Sequence, residues 1–279
     1  MCIICTEEYS EDVTKLNCSG CNDIKTIPAL PNLTELDCSE CKNLRTIHPS
    51  PNLTELDCSR CDKLKIIPIL PKLINLNCSE CDNIVVIPVL PSLLYLNCAM
   101  CIKLQKISLS PNLIEIICYV CKNLESIPLS YNLETLNCIR CDRIEVIPSL
   151  IKLETLECDG CELIKYLPLL PELTSLNCRN CTSMVNIPVF PKLLEIAWYI
   201  EEDSDQGIIG LEDYDEWEEA NPYSGWIIGF IRKFMKRREM RRRLRRYIKT
   251  KSFKNYCIKF YKQKYNRDMK RLETWIEKI

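Results

Sequence analysis

Nine Cys-x-x-Cys pairs recur at a strict twenty-residue interval, with first cysteines at Cys18, Cys38, Cys58, Cys78, Cys98, Cys118, Cys138, Cys158 and Cys178. Few features limit a fold more tightly. A fixed period of roughly 20 to 50 residues means one structural unit repeated in space, each packed on the next. Aligned on that period, the chain reads "PNLTELDCSECKNLRTIHPS" from Pro31, "PNLTELDCSRCDKLKIIPIL" from Pro51, "PKLINLNCSECDNIVVIPVL" from Pro71 and "PELTSLNCRNCTSMVNIPVF" from Pro171. A tenth unit, "PKLLEIAWYI", carries Ala197 and Ile200 in the cysteine slots. Terminal repeats are commonly atypical because they cap an open stack.

Local patterning says what one unit looks like. Across residues 33–39, Leu36 and Cys38 alternate with Glu35, Asp37 and Ser39, the period of a β-strand. A single unit cannot bury Leu33, Leu36, Leu44 and Ile47 by itself, but stacking on its neighbours can. After a strand and a turn, twenty residues leave no room for a return helix. The return stretch also carries Pro28, Pro31, Pro68, Pro71, Pro88 and Pro91, and proline favours an extended path there. The expectation is a parallel sheet along one side and extended backbone along the other.

The unit pattern, L-x-x-L-x-C-x-x-C-x-x-L-x-x-I-P, resembles the leucine-rich repeat, L-x-x-L-x-L-x-x-N/C-x-L. The resemblance covers roughly residues 13–199. The "IPxLP" tail of the unit is similar to short repeats of bacterial secreted effectors. The cysteine-rich version looks like repeat proteins of giant amoeba-infecting DNA viruses. The resemblance implies a leucine-rich-repeat solenoid with a parallel β-sheet on its concave face, a helix-poor extended convex side, and a protein partner bound on the concave face. Around the repeats over 13–199, the chain reads as an N-terminal cap over residues 1–12, an acidic, Gly- and Pro-interrupted linker over 200–226, and a basic tail over 227–279 that is expected to be α-helical because it lacks proline and carries apolar residues at helical spacing.

Within that frame Cys38 occupies an inward leucine slot, and Cys41 the asparagine slot inside the turn. A buried thiol is a small apolar side chain with a weak donor, which suits both positions. Zinc is the alternative, since pairs on adjacent units about 4.8 Å apart could converge on one ion. Redox chemistry is another, although these pairs begin in strands and not at a helix start. The N-terminus "MCIICTEEYSEDVTK" lacks a secretory pattern. A reducing, cytoplasmic setting with unbridged thiols is therefore expected. Cys2, Cys5 and Cys257 lie outside the array and have no assigned partner.

Nothing in the chain suggests catalysis. His48 is the only histidine, and the six glycines form no phosphate-binding loop. The effectors with similar repeats often carry a C-terminal ubiquitin-ligase domain with a cysteine followed two residues later by aspartate. Here the post-repeat cysteine stands in "NYCIKF", so no catalytic residue carries over. No cofactor and no metal are expected, and the chain reads as a non-catalytic binding scaffold. By alternation the outward positions begin acidic and polar, with Glu35, Asp37, Glu55 and Asp57. They turn apolar at Tyr95, Ile117, Tyr119 and Ile139, the candidate partner contact.

Charge is segregated along the chain. Residues 199–226 hold 10 acidic and no basic side chains, and residues 227–279 hold 20 basic and 4 acidic. In "RKFMKRREMRRRLRRYIKTK" the only acid is Glu239. Such a block calls for a counter-charge. Arg237, Arg238, Arg241, Arg242, Arg243, Arg245 and Arg246 are the candidate anion-binding residues, with nucleic acid, anionic lipid or the chain's own acidic segments as partners. "RRRLRR" also permits nuclear import. No stretch approaches the roughly eighteen apolar residues of a membrane-spanning helix.

Overall fold

The computed structural model describes residues 3–6, 12–185, 187–188, 190 and 192–197. The acidic linker, the basic tail with its candidate arginines, and Cys2 and Cys257 lie outside the described residues. The array itself is a parallel β-solenoid. Ten three-residue strands, one per twenty-residue rung, run from Lys15–Asn17 to Glu195–Ala197 and pair in chain order in one sheet. The register offset is the sequence period: Leu16 stands opposite Leu36, and Leu36 opposite Leu56. Identical slots therefore form columns.

The inward columns are the core. In the rung that begins at Pro71, Leu73, Leu76, Cys78, Cys81, Ile84, Ile87 and Leu90 are all buried. Each apolar side chain taken out of water contributes roughly 1.5–3 kcal/mol, so stacking supplies what one coil lacks. The return side has little regular structure. Thr26–Ile27 pairs with Thr46–Ile47, and Val86–Ile87 with Lys106–Ile107. The only helix among the described residues is Ile3–Thr6. No described helix is long and apolar enough to cross a membrane. Buried serines tie some return segments together, as where Leu30 N–H donates to Ser50 Oγ at 3.1 Å.

One feature departs from simple strand alternation. Each strand stops two residues short of the expected Ser39 position, at Asp37 in that rung, and a tight turn follows. The second turn residue has a positive φ in every rung from Gly20 through Glu40, Arg60, Glu80, Met100, Val120, Arg140 and Gly160 to Asn180. Side chains disfavour that left-handed region because Cβ crowds the following carbonyl. The ladder enforces it. The amide of each such residue, from Gly20 to Gly160, donates to the turn carbonyl of the next rung, as in Glu40 N to Ser59 O at 2.8 Å. Stacking thus holds a strained backbone in place.

Val120, with φ 59° and a β-branched side chain, is the least suited occupant of that column. Val120→Gly removes the Cβ conflict, partly offset by the extra freedom glycine has when unfolded. The expected result is a net gain of about 1 kcal/mol, read as a higher urea midpoint with an unchanged slope.

Candidate functional site

The outward face of the sheet is hollowed into a trough of about 680 Å³ that runs from Lys15 to Ile117. Its walls are two columns: the first and third residues of each strand. One end is acidic. Glu35 and Glu55 stand opposite each other, as do Asp37 and Asp57. Lys15 lies at the margin and pairs with Glu35 at 2.6 Å. The hydrogen bond to Glu35 and its charge push the Lys15 pKa up.

The aspartates hold the fold as well as charge the trough. Asp37 Oδ1 accepts from the Ser39 backbone N–H at 3.0 Å and from Ser39 Oγ at 2.6 Å. Its other oxygen accepts from Asn17 Nδ2 at 3.0 Å. Asp57 repeats the arrangement, with Ser59 N at 2.9 Å, Ser59 Oγ at 2.7 Å and Asn77 Nδ2 at 2.9 Å. These are Asx turns, in which a short polar side chain satisfies the amide two residues on. Asn77, Asn97, Asn137 and Asn177 serve the same turn in their rungs. Sequence alternation alone presents these residues as free surface and misses the structural role. The signal available was the Asp/Asn-x-Ser spacing.

Ile117 interrupts this column, since a hydrocarbon cannot cap a turn. It sits diagonal to Tyr95: Tyr95 pairs with Glu115, and Ile117 with Asn97. Diagonal neighbours of that kind lie within reach of aromatic side chains. Tyr95 is 44% exposed. The trough therefore passes from a carboxylate-rich end to one where Tyr95 and Ile117 stand beside Glu115. Asn75 lies between, and its Oδ1 is buried with no hydrogen-bond partner. The other two candidate contacts fall elsewhere. Tyr119 and Ile139 occupy the turn after the strand and do not line the trough. They belong to neighbouring rungs, joined at that turn by the Val120 N–H bond to Ile139 O at 2.7 Å. His48 is exposed on the return side and is not part of the trough. The return side also displays Ile66 and Ile69, at 73% and 67% exposure.

The cysteine columns run inside the stack. From Cys41 onward, each second cysteine donates its thiol to the carbonyl of a first cysteine one rung back. Cys41 Sγ reaches Cys18 O at 3.1 Å, and Cys61 reaches Cys38 O at 3.1 Å. Cys81, Cys101, Cys121, Cys141, Cys161 and Cys181 repeat the bond at 3.0–3.1 Å. Eight consecutive contacts thus form a ladder of thiol donors at the asparagine slot. Burial pushes the Cys178 thiol well above its usual pKa and Cys41 up to about 11. Hydrogen bonding to Cys81 and burial do the same for Cys58. The partner bond draws Cys61, Cys101 and Cys181 downward against the burial that pushes them up. Among the described residues no group of three or more His, Cys, Asp or Glu side chains is placed to hold a metal. A thiol that donates is protonated, whereas zinc binds the thiolate, so the ladder and a zinc site compete for the same sulfur.

No protein-family model matches the chain, and no curated protein matches it. Among solved structures, a leucine-rich repeat protein from Bacteroides ovatus is similar at 16% identity and a TM-score of 0.48, covering 67% of this chain and 66% of that one. A leucine rich cell surface protein from Faecalibacterium prausnitzii is similar at 14% identity and a TM-score of 0.31, covering 66% of this chain and 62% of that one. The match spans slightly less than two thirds of each of those proteins.

The thiol ladder has a direct test at Cys81. Asparagine carries an N–H donor that can replace the thiol toward Cys58 O, whereas alanine leaves a cavity and an unpaired carbonyl. Cys81→Ala should cost about 1–3 kcal/mol in urea unfolding, and Cys81→Asn clearly less. Equal losses would show that packing volume alone decides the slot. Stoichiometric zinc by elemental analysis, with unfolding by a chelator, would replace the ladder with a metal role.

Proposed function

We propose that this chain is a non-catalytic leucine-rich-repeat scaffold whose trough captures a protein partner. The observation that carries this reading is the trough itself: a hollow of about 680 Å³ on a rigid sheet, acidic at one end and bearing Tyr95 and Ile117 at the other. Rigid elements hold contact residues in place without an ordering cost on binding. An exposed tyrosine beside an aliphatic side chain is the kind of anchor that dominates interfaces, while carboxylates steer and orient the partner. Tyr119 and Ile139, in the turns after their strands, extend the apolar contact in this reading. The protonated thiols suit a reducing compartment.

The basic tail is a second binding element in this proposal. Its support is composition: 20 basic against 4 acidic side chains over residues 227–279. Arg237, Arg238, Arg241, Arg242, Arg243, Arg245 and Arg246 would engage phosphate on nucleic acid or anionic lipid. Affinity would then fall linearly with the logarithm of salt concentration.

The trough reading predicts a separation between variants. Tyr95→Ala and Ile117→Ala should each weaken a captured partner by about 2 kcal/mol, roughly 30-fold in Kd, with little change in melting temperature. The turn variants Tyr119→Ala and Ile139→Ala should matter less. The measurement is calorimetric titration of each variant with the protein that the wild-type chain enriches. A partner bound equally by all four variants would move the site off this face.

A further inference from the structure

We propose that Cys5 and Cys21 form an oxidation site, a dithiol that a hydroperoxide converts to a disulfide, tying the N-terminal helix to the first rung of the solenoid. The two sulfur atoms lie 3.4 Å apart, although sixteen residues separate them in sequence. The contact follows from the end of the stack. Every later second-column cysteine, from Cys41 to Cys181, donates to a carbonyl in the preceding rung. Cys21 begins the column and has no preceding rung, and the thiol of Cys5 meets it in the helix Ile3–Thr6.

Access separates this pair from the rest. Among the described cysteines, Cys5 and Cys21 are half-buried and all seventeen others are buried. A hydroperoxide can reach the pair, while the column sulfurs lie inside close-packed core. Chemistry points the same way. Burial pushes the Cys21 thiol up, but the hydrogen bond with Cys5 and the backbone amides of Asp23 and Ile24 outweigh it, so its pKa lies below the ordinary thiol value. Thiolate character and exposure together govern oxidation.

The step balances with one hydroperoxide. The Cys21 thiolate attacks the peroxide oxygen and becomes a sulfenic acid, and the departing hydroxide takes up the proton that Cys21 released. Cys5 sulfur then attacks the Cys21 sulfur. The S–OH bond breaks, the S–S bond forms, and the hydroxyl leaves with the Cys5 proton as water. Two thiols and one hydrogen peroxide give one disulfide and two waters. Bonding requires the sulfurs to close from 3.4 Å to the ordinary bond length of about 2.05 Å. A four-residue helix needs only a small shift for that.

The test uses the full chain treated with graded hydrogen peroxide, quenched with an alkylating agent and mapped by mass spectrometry. Trypsin cuts after Lys15 and Lys25, so the two cysteines fall in different peptides. A parallel series in a Cys2→Ser, Cys257→Ser background removes the cysteines outside the array. The expected result is a Cys5–Cys21 cross-linked peptide, formed at least ~10-fold faster than any column cysteine is modified. Dithiothreitol should reverse it, and the oxidised protein should melt at a higher temperature. In Cys5→Ser, a dimedone probe should label Cys21. Separate sulfinic acids on Cys5 and Cys21 without cross-link would overturn the proposal. So would a link from Cys2 to Cys21, or column cysteines oxidised first. The wild-type map decides even if the Cys5 variant folds poorly.

Discussion

A twenty-residue coil of this composition cannot bury its own inward side chains, and the rest of the structure depends on that. Leu73, Leu76, Ile84 and Ile87 are buried only because the rungs before and after repeat the same slots. Stability is then a sum of neighbour contacts along one axis, as in other repeat architectures. The parallel register follows from the period, and the columns follow from the register. Even the backbone strain of the turn is tolerated on these terms, since a residue such as Val120 takes a positive φ only with its amide bonded to the next rung.

The cysteines belong to the same constraint. The carbonyl of the first cysteine in each of these turns faces the next rung and accepts its thiol, in some rungs alongside a backbone amide of its own turn. A thiol is small enough for the space and loses less on leaving water than a more polar donor. The pairs look like metal motifs in a linear chain because both columns advance by twenty. In space their sulfurs serve different neighbours: one fills the core, the other caps a carbonyl. Only at the first rung does the pattern run out, and there Cys21 meets Cys5.

On the outer face the same side chains both hold the turn and shape the trough. Asp37 and Asp57 satisfy turn amides while lending negative charge to the groove. Where Ile117 takes that position, the Asx turn is absent and the surface becomes apolar beside Tyr95. The polar ladder and the apolar break thus arise from one column, read rung by rung.

The repeat, its parallel stacking, the helix-poor return and the inward identity of Cys38 and Cys41 were all legible in the linear chain. Each follows from periodicity, which is a property of order along the backbone. Where the strand ends was not legible, because Asp37 and Ser39 alternate with buried residues whether the backbone is extended or turning. Nor was the division of the candidate contacts into Tyr95 and Ile117 within the trough and Tyr119 and Ile139 in the turns outside it, which depends on that same turn. The pairing of Cys5 with Cys21 needed the fold as well. It depends on where an end segment docks on a stack that has no preceding rung, and no period reaches past the end of a repeat.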